Sequence, residues 1–139
     1  MSRDLRHIYL VLNIAEMSNH YRYPMGAVIT KGSRVLSFGT NKVKTHPKQR
    51  NPHTGNRGFI HAEFDALLRA PYIHYSNSQI YVARLLKDGT VGKARPCKSC
   101  TELLLSHGIY IVIYSLEENK FIKEDLRINK QISVIEIWK

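Results

Sequence analysis

The sequence is poor in cysteine, with Cys97 and Cys100 its only two in 139 residues. It also lacks an apolar run near the ~18 residues that cross a bilayer. The first twenty or so residues mix charges into apolar positions, unlike an export signal. These absences predict a cytoplasmic protein with no membrane partner. In that reducing compartment, a structural disulfide is a poor explanation for the two cysteines.

Acidic residues are absent between Glu16 and Glu63, although the whole chain has 11 of them. The net charge is +10. This asymmetry indicates an anionic partner such as a nucleotide phosphate or a nucleic-acid backbone, and a solvated basic face explains it equally well. The basic residues of the interval are Arg22, Lys31, Arg34, Lys42, Lys44, Lys48, Arg50 and Arg57.

The apolar pattern predicts alternating helices and strands in one domain, residues 1–139, a length suited to a single core. Two apolar runs around Lys31-Gly32-Ser33 predict a hairpin, and IYIVIY predicts a strand buried on both faces. The order α-β-β-α-β-α-β-α-β predicts a three-layer α/β/α sandwich with a central mixed five-stranded sheet. The predicted elements cover residues 5–15, 25–30, 35–38, 60–70, 79–86, 97–107, 109–114, 117–129 and 132–138.

Two short motifs carry candidate chemistry, and each is weak alone. His61-Ala62-Glu63 begins one predicted helix, and such a triplet arises easily by accident in a chain with seven histidines. Pro96-Cys97-Lys98-Ser99-Cys100 begins the next helix, and a lone C-x-x-C fits either a redox pair or a metal site. The two motifs have to be considered together.

Together the motifs supply the donors of a catalytic zinc site, in which three protein ligands leave the fourth position to water. Cysteines at i and i+3 share one helix face. A helix N-terminus stabilises the thiolate form that binds metal. Glu63 lies two residues beyond His61, so it can stand beside a metal-bound water without being a ligand.

This combination resembles the zinc-dependent cytidine and deoxycytidylate deaminase superfamily, which carries H-x-E followed by P-C-x-x-C. The resemblance covers roughly residues 5 to 115. MGAVIT followed by VLSFGTN is similar to the family's first hairpin, HAEFDAL to its zinc-ligand helix and HGIYIVIY to the strand after its cysteine helix. The implied activity is a hydrolytic deaminase that converts a cytosine base to uracil and releases ammonia.

The resemblance also implies roles for individual residues. His61, Cys97 and Cys100 would hold one catalytic zinc ion, and Glu63 would shuttle protons. Family members often associate, so a homo-oligomer is expected.

Substrate contacts are implied at further positions. Asn41 would contact the sugar, with a turn-capping amide as its alternative role. Ala27 and Ala62 would offer backbone groups to the base. The candidate phosphate contacts are Lys44, Arg50 and Arg95.

Two departures from the family pattern leave the substrate open. Arg95 stands where the family commonly has Glu, after a long connection from the preceding strand. Asn41 is followed by KVKTHPKQRNPHTG rather than an Asn-Gly-x-Pro-like loop. A (deoxy)cytidine nucleotide such as dCMP is the favoured substrate. Single-stranded DNA or RNA is the alternative, because the positive field suits a phosphate backbone. A non-enzymatic C-x-x-C redox or binding module is the further alternative, and the presence of Glu63 argues against it.

Other side chains are weaker candidates. His46 and His53 would suit a second metal, but no cysteine accompanies them and solvated loop histidines are favoured. Stacking on a substrate base is an option for three aromatic residues, for which core or rim positions are favoured. These are Tyr23, Phe59 and Tyr72.

Overall fold

The computed structural model describes residues 2–20, 23–42, 61–69 and 75–137. None of the helices in these ranges is long and apolar enough to cross a membrane. The elements, in chain order, are α1 (Arg3–Ala15), β1 (Met25–Lys31), β2 (Arg34–Thr40), α2 (Ala62–Leu68), β3 (Gln79–Leu85), β4 (Val91–Gly92), α3 (Lys98–Ser106), β5 (Ile111–Leu116), β6 (Lys120–Asp125) and β7 (Lys130–Glu136).

The strands form one mixed sheet in the order β2-β1-β3-β5-β6-β7, and β4 pairs with the end of β3. Only the β3–β5 pairing is parallel among the described strands. Parallel neighbours need a crossover, and α3 supplies it on the way from β3 to β5. The carboxyl end of β3 therefore lies close to the start of α3.

Helices cover both faces of the sheet, which confirms the predicted α/β/α layers. On one face, α1 buries Ile8 and Val11 against the sheet, in a cluster that includes Tyr81. On the other face, Ala66 of α2 and Leu104 of α3 pack in a second cluster. Burial of these two apolar faces from water is the main favourable contribution to folding.

The prediction of five strands is wrong, because the described part of the chain has seven. Residues 117–129, predicted as a helix, form a turn, β6 and a second turn. The physical reason is that the consecutive residues Phe121 and Ile122 are both buried, in clusters on opposite faces of the sheet. Glu118 and Asn119 have left-handed backbone angles (φ 63° and 58°), which end β5 and reverse the chain. The two-residue strand β4 was also missed.

Gly39 of β2 sets the distance between the sheet and α2. A Cβ atom there would lie 2.3 Å from the backbone nitrogen of Ala66 in α2. Only glycine permits this close approach of two backbones. The helix that follows His61 is therefore held tightly against the hairpin that ends at Asn41.

Candidate metal centre and active site

The first turns of α2 and α3 converge on one point. His61 is the N-cap residue of α2 and Cys97 is the N-cap residue of α3, and both have extended backbone angles. Cys100 lies in the first turn of α3. Pro96 therefore precedes the cap instead of occupying the first helical position. The two motifs, more than thirty residues apart in the sequence, meet because both helices begin at the same edge of the sheet.

The three side chains that form this metal cluster (His61, Cys97 and Cys100) are placed to bind a metal ion. Their ligand atoms all lie within 4.8 Å of one another. The Nδ1 atom of His61 is 3.3 Å from the Cys100 sulfur and 3.6 Å from the Cys97 sulfur. A tetrahedral zinc ion with ordinary bond lengths holds nitrogen and sulfur ligands about 3.6 Å apart. The spacing and the donor types both fit zinc.

The electrostatics of the cluster favour a thiolate at Cys97. Its pKa falls to about 4 because the Cys100 thiol, His61 and the backbone N–H of Cys100 bond to its sulfur, although burial acts in the opposite direction. The pKa of Cys100 is raised, because its thiol donates to Cys97 and because it is buried. The pair thus shares one thiol proton, which a metal ion would displace on binding.

Glu63 stands beside the metal cluster in the first turn of α2, with 3% of its surface exposed. Burial raises the pKa of its carboxyl, against the opposing effect of His61. A carboxyl with a raised pKa keeps its proton to a higher pH than a solvated carboxyl does. A bound divalent cation would act in the opposite direction and favour the carboxylate.

Asp65 fixes α2 to the end of β2. Its carboxylate accepts hydrogen bonds from the Thr40 backbone N–H at 3.0 Å, from Lys42 Nζ at 2.7 Å and from Arg69 Nε at 3.1 Å. Burial alone would raise the pKa of Asp65, but these three donors lower it overall. The network holds the helix that carries Glu63 in register with the strand that leads to Asn41.

A cavity of about 280 Å³ opens beside the metal cluster. Its described lining includes His61, Glu63 and Cys97, and Glu63 is the only acidic side chain in that lining. Arg84, Lys93 and Arg95 line it as well, so basic groups border the acidic one. Concave sites with a few converging polar groups are typical of small-molecule binding.

Asn41 lines the same cavity and is 3% exposed. Its side-chain oxygen accepts hydrogen bonds from the Met25 backbone N–H at 2.9 Å and from the Ser18 hydroxyl at 2.5 Å. Its side-chain nitrogen donates to the Tyr23 carbonyl at 2.6 Å. These bonds match the alternative role of Asn41 as a capping amide, and its contact with a sugar stays a prediction.

Ala27 and Ala62 lie in the core on the face of the sheet that α2 and α3 cover. They are 0% and 1% exposed. Neither belongs to the described lining of the cavity, to which β1 contributes Met25. These positions do not test the prediction that the two alanines offer backbone groups to a substrate base, so it stays a prediction.

Arg95 lines the cavity, but its charge is already matched. Its Nη2 atom is 2.7 Å and its Nε atom 3.3 Å from the two carboxylate oxygens of Glu124. Glu124 also accepts a hydrogen bond from the Tyr114 hydroxyl at 3.1 Å. The hydrogen bonds that Arg95 donates to Glu124 raise the pKa of Arg95. Arg95 as a phosphate contact stays a prediction, and it would have to compete with this pair.

Several candidates from the sequence lie outside the described residues. They are Lys44, His46, Arg50, His53, Phe59 and Tyr72. Tyr23 is described, and it lines the cavity with 47% of its surface exposed. Of the favoured core or rim positions, this exposure fits the rim and not the core, and stacking of Tyr23 on a substrate base stays a prediction.

Sequence reasoning did not single out Arg84, His20 or Asp65. The first two line the cavity, and the third anchors α2. Arg84 had one available signal, because it occupies the end of the strand that leads to the cysteines. His20 belongs to no local motif. Asp65 lies within HAEFDAL, but its contact with the end of β2 appears only in the packing of β2 against α2.

Comparison with known proteins gives the family. The model of the cytidine and deoxycytidylate deaminase zinc-binding region matches residues 1–116. No curated protein sequence matches the chain.

Solved structures share the fold at low sequence identity. A dCMP deaminase from the cyanophage S-TIM5, in apo form, is 22% identical with a TM-score of 0.60, over 86% of this chain and 88% of that one. The same phage enzyme in complex with dCMP and dUMP is 20% identical with a TM-score of 0.58, over 82% of both chains. A cytidine deaminase from Burkholderia pseudomallei is 16% identical with a TM-score of 0.65, over 91% and 94%. With the family match over most of its length and a His-Cys-Cys cluster spaced for zinc, the chain belongs to the cytidine and deoxycytidylate deaminase zinc-binding family.

Proposed function

We propose that this protein is a zinc-dependent hydrolytic deaminase that converts the cytosine of a (deoxy)cytidine nucleotide such as dCMP to uracil. One observation carries the proposal: Glu63 is buried in the cavity wall next to the metal cluster, in a chain of this family. A redox or binding module with the same cysteines has no need of a carboxyl at that position. Catalysis by proton transfer does.

The metal cluster and Glu63 divide the chemistry between them. Zinc, when bound by His61, Cys97 and Cys100, lowers the pKa of water towards neutrality. Glu63 takes one proton of the attacking water and delivers it to ring nitrogen N3, and it then carries the second proton, from the hydroxyl formed at C4, to the exocyclic amine. A C4–O bond forms, the C4–N4 bond breaks, and ammonia leaves, so one water is consumed for each ammonia released.

The site favours a single nucleotide as the substrate. The cavity of about 280 Å³ is just below the ~300–1,000 Å³ that small-molecule sites span. The cyanophage enzyme that shares this fold binds dCMP and dUMP, a substrate and product pair of the proposed reaction. Basic side chains that line the cavity are suited to contact a phosphate group. We therefore place dCMP ahead of cytosine in a single strand.

A substrate panel tests the proposal. Ammonia release is measured for zinc-loaded protein with cytidine, deoxycytidine, dCMP, dCTP and a cytosine-containing single-stranded oligonucleotide. We expect the highest kcat/KM with dCMP. Activity confined to the oligonucleotide would contradict the nucleotide assignment. Inactivity on all five would contradict cytosine deamination itself.

A further inference from the structure

We propose that Arg84 and Lys93, on the hairpin formed by β3 and β4, bind the phosphate group of the substrate; this inference rests on the proposed function. Both side chains line the cavity that also contains Glu63 and the metal cluster. We call this pair the hairpin rim. Neither residue belongs to a zinc or deaminase motif. The two positive charges of the rim call for an anionic partner.

The charges of the cavity's basic residues are matched differently. Arg95 is held by both oxygens of Glu124, so its charge is largely neutralised. Within the described ranges, no carboxylate lies within ion-pair distance of Arg84 or Lys93. Two cations that share a cavity without an acidic partner repel each other, and an anion between them removes that repulsion.

The hairpin rim is held on a rigid support. Ser115 of β5 is fully buried, and its hydroxyl donates to the Gly92 carbonyl at 2.6 Å and accepts from the Arg84 backbone N–H at 3.0 Å. The Ala94 backbone N–H donates to the Ser115 carbonyl at 2.9 Å. Arg84 and Gly92 are also direct partners in the β3–β4 ladder. One buried serine thus ties together the two segments that present the two cations.

Arg84 is positioned by stacking. Its guanidinium lies 4.5 Å from the centre of the Tyr23 ring, and Tyr23 lines the same cavity. Its Nε–H is buried and has no hydrogen-bond partner among the described residues. A buried donor without a partner is costly, because it has lost its hydrogen bonds to water and gained none. An anionic oxygen that moved the guanidinium slightly off the ring would satisfy that donor.

The chemistry of the rim fits a terminal phosphate monoester. Two positive groups match the double negative charge of a nucleoside monophosphate, and an arginine fork suits two phosphate oxygens. A phosphodiester within a strand carries only one negative charge, so its electrostatic attraction to Arg84 and Lys93 is weaker. The experiment must therefore compare a monoester, a diester and a substrate without phosphate.

The test measures kcat/KM for dCMP, for deoxycytidine and for an oligonucleotide with one internal cytosine. R84Q and K93Q are expected to lower the value for dCMP by about 10- to 100-fold each, mainly through KM, because each removes a charge-assisted contact. The value for deoxycytidine should change less than about threefold. R84K should recover part of the loss. Lys93 is exposed, so K93Q tests the inference even if R84Q folds poorly.

The matched control is K87Q, which removes a positive charge from the exposed turn of the same hairpin, away from the cavity lining. It should leave the ratio of dCMP to deoxycytidine activity unchanged. Equal losses on dCMP and deoxycytidine in R84Q and K93Q would overturn the inference. A loss on the oligonucleotide alone would overturn the assignment to a monoester.

A binding measurement separates this inference from the proposed function. Calorimetry with the zinc-loaded wild-type protein records the affinity for inorganic phosphate, and R84Q and K93Q are each expected to weaken it. If no cytosine compound is turned over, the proposed function fails, while weaker phosphate binding in these variants still supports the subsite. Unchanged phosphate affinity in both variants would contradict the subsite whatever the activity.

Discussion

The metal cluster and the hairpin rim lie on one cavity, yet they are built in different ways. The cluster comes from two short motifs at helix starts, and its three ligand atoms lie within 4.8 Å of one another. The rim comes from the end of β3 and the residue after β4, which Ser115 of β5 holds together. The metal ligands thus lie in short local motifs, whereas the proposed phosphate contacts are brought together only by tertiary packing.

The largest expected effect is on the metal cluster. C97A removes one of three ligands, so we expect zinc content to fall from about one ion per chain to near zero and deaminase activity to disappear. S99A, in the same helical turn, should keep both. Elemental analysis of purified protein checks the first expectation. Full zinc content in C97A would mean that the cluster is not the metal site.

The next prediction separates Arg95 from the hairpin rim. R95Q leaves the carboxylate of Glu124, which is 6% exposed, without its cation. We expect a loss of about 2 kcal/mol in the free energy of unfolding, less than for a fully buried pair because Arg95 is partly exposed. The ratio of dCMP to deoxycytidine activity should stay the same.

Urea unfolding of R95Q and of the double variant R95Q/E124Q checks that expectation. The double variant should recover much of the stability, because no charge is then left unpaired. If R95Q instead kept full stability and lost its preference for dCMP, Arg95 would be the phosphate contact and the contrast with Arg84 would fail.

A smaller effect concerns the pH dependence of stability. Asp65 has a lowered pKa in the folded protein, so the unfolded chain binds more protons as the pH falls below about 4. The stability that Asp65 contributes is therefore present above its unfolded pKa and is lost as the pH falls through its folded pKa. We expect D65N to cost about 1 kcal/mol near pH 7, since exposed Arg69 and partly exposed Lys42 contribute little.

Unfolding curves of the wild type and D65N at several pH values check this. The difference in the free energy of unfolding between the wild type and D65N should shrink towards pH 3. If this difference in the free energy of unfolding were constant with pH, the charge of Asp65 would not contribute to stability, and only the shape of its side chain would be needed. K42Q, which removes the closest donor, should give a smaller loss than D65N.

The sequence was sufficient for the layers, the first hairpin and the metal cluster, because these depend on patterns within a few residues. Ser2 caps α1 by accepting from the Leu5 backbone N–H at 3.2 Å, and serine is a preferred residue at this position. The helix predicted over residues 117–129 was wrong because the burial of Phe121 and Ile122 on opposite faces cannot be seen without the sheet. The pairing of Arg95 with Glu124 was equally hidden, because Glu124 lies on β6, which the sequence did not predict.

In the proposed function, Glu63 performs proton transfer beside a bound zinc ion in dCMP deamination. The most direct test measures zinc content and ammonia release from dCMP for the wild-type protein and E63Q side by side. We expect equal zinc content and a fall in kcat of about 100- to 10,000-fold in E63Q. Equal zinc content with undiminished ammonia release in E63Q would show that Glu63 takes no part in the proton transfer.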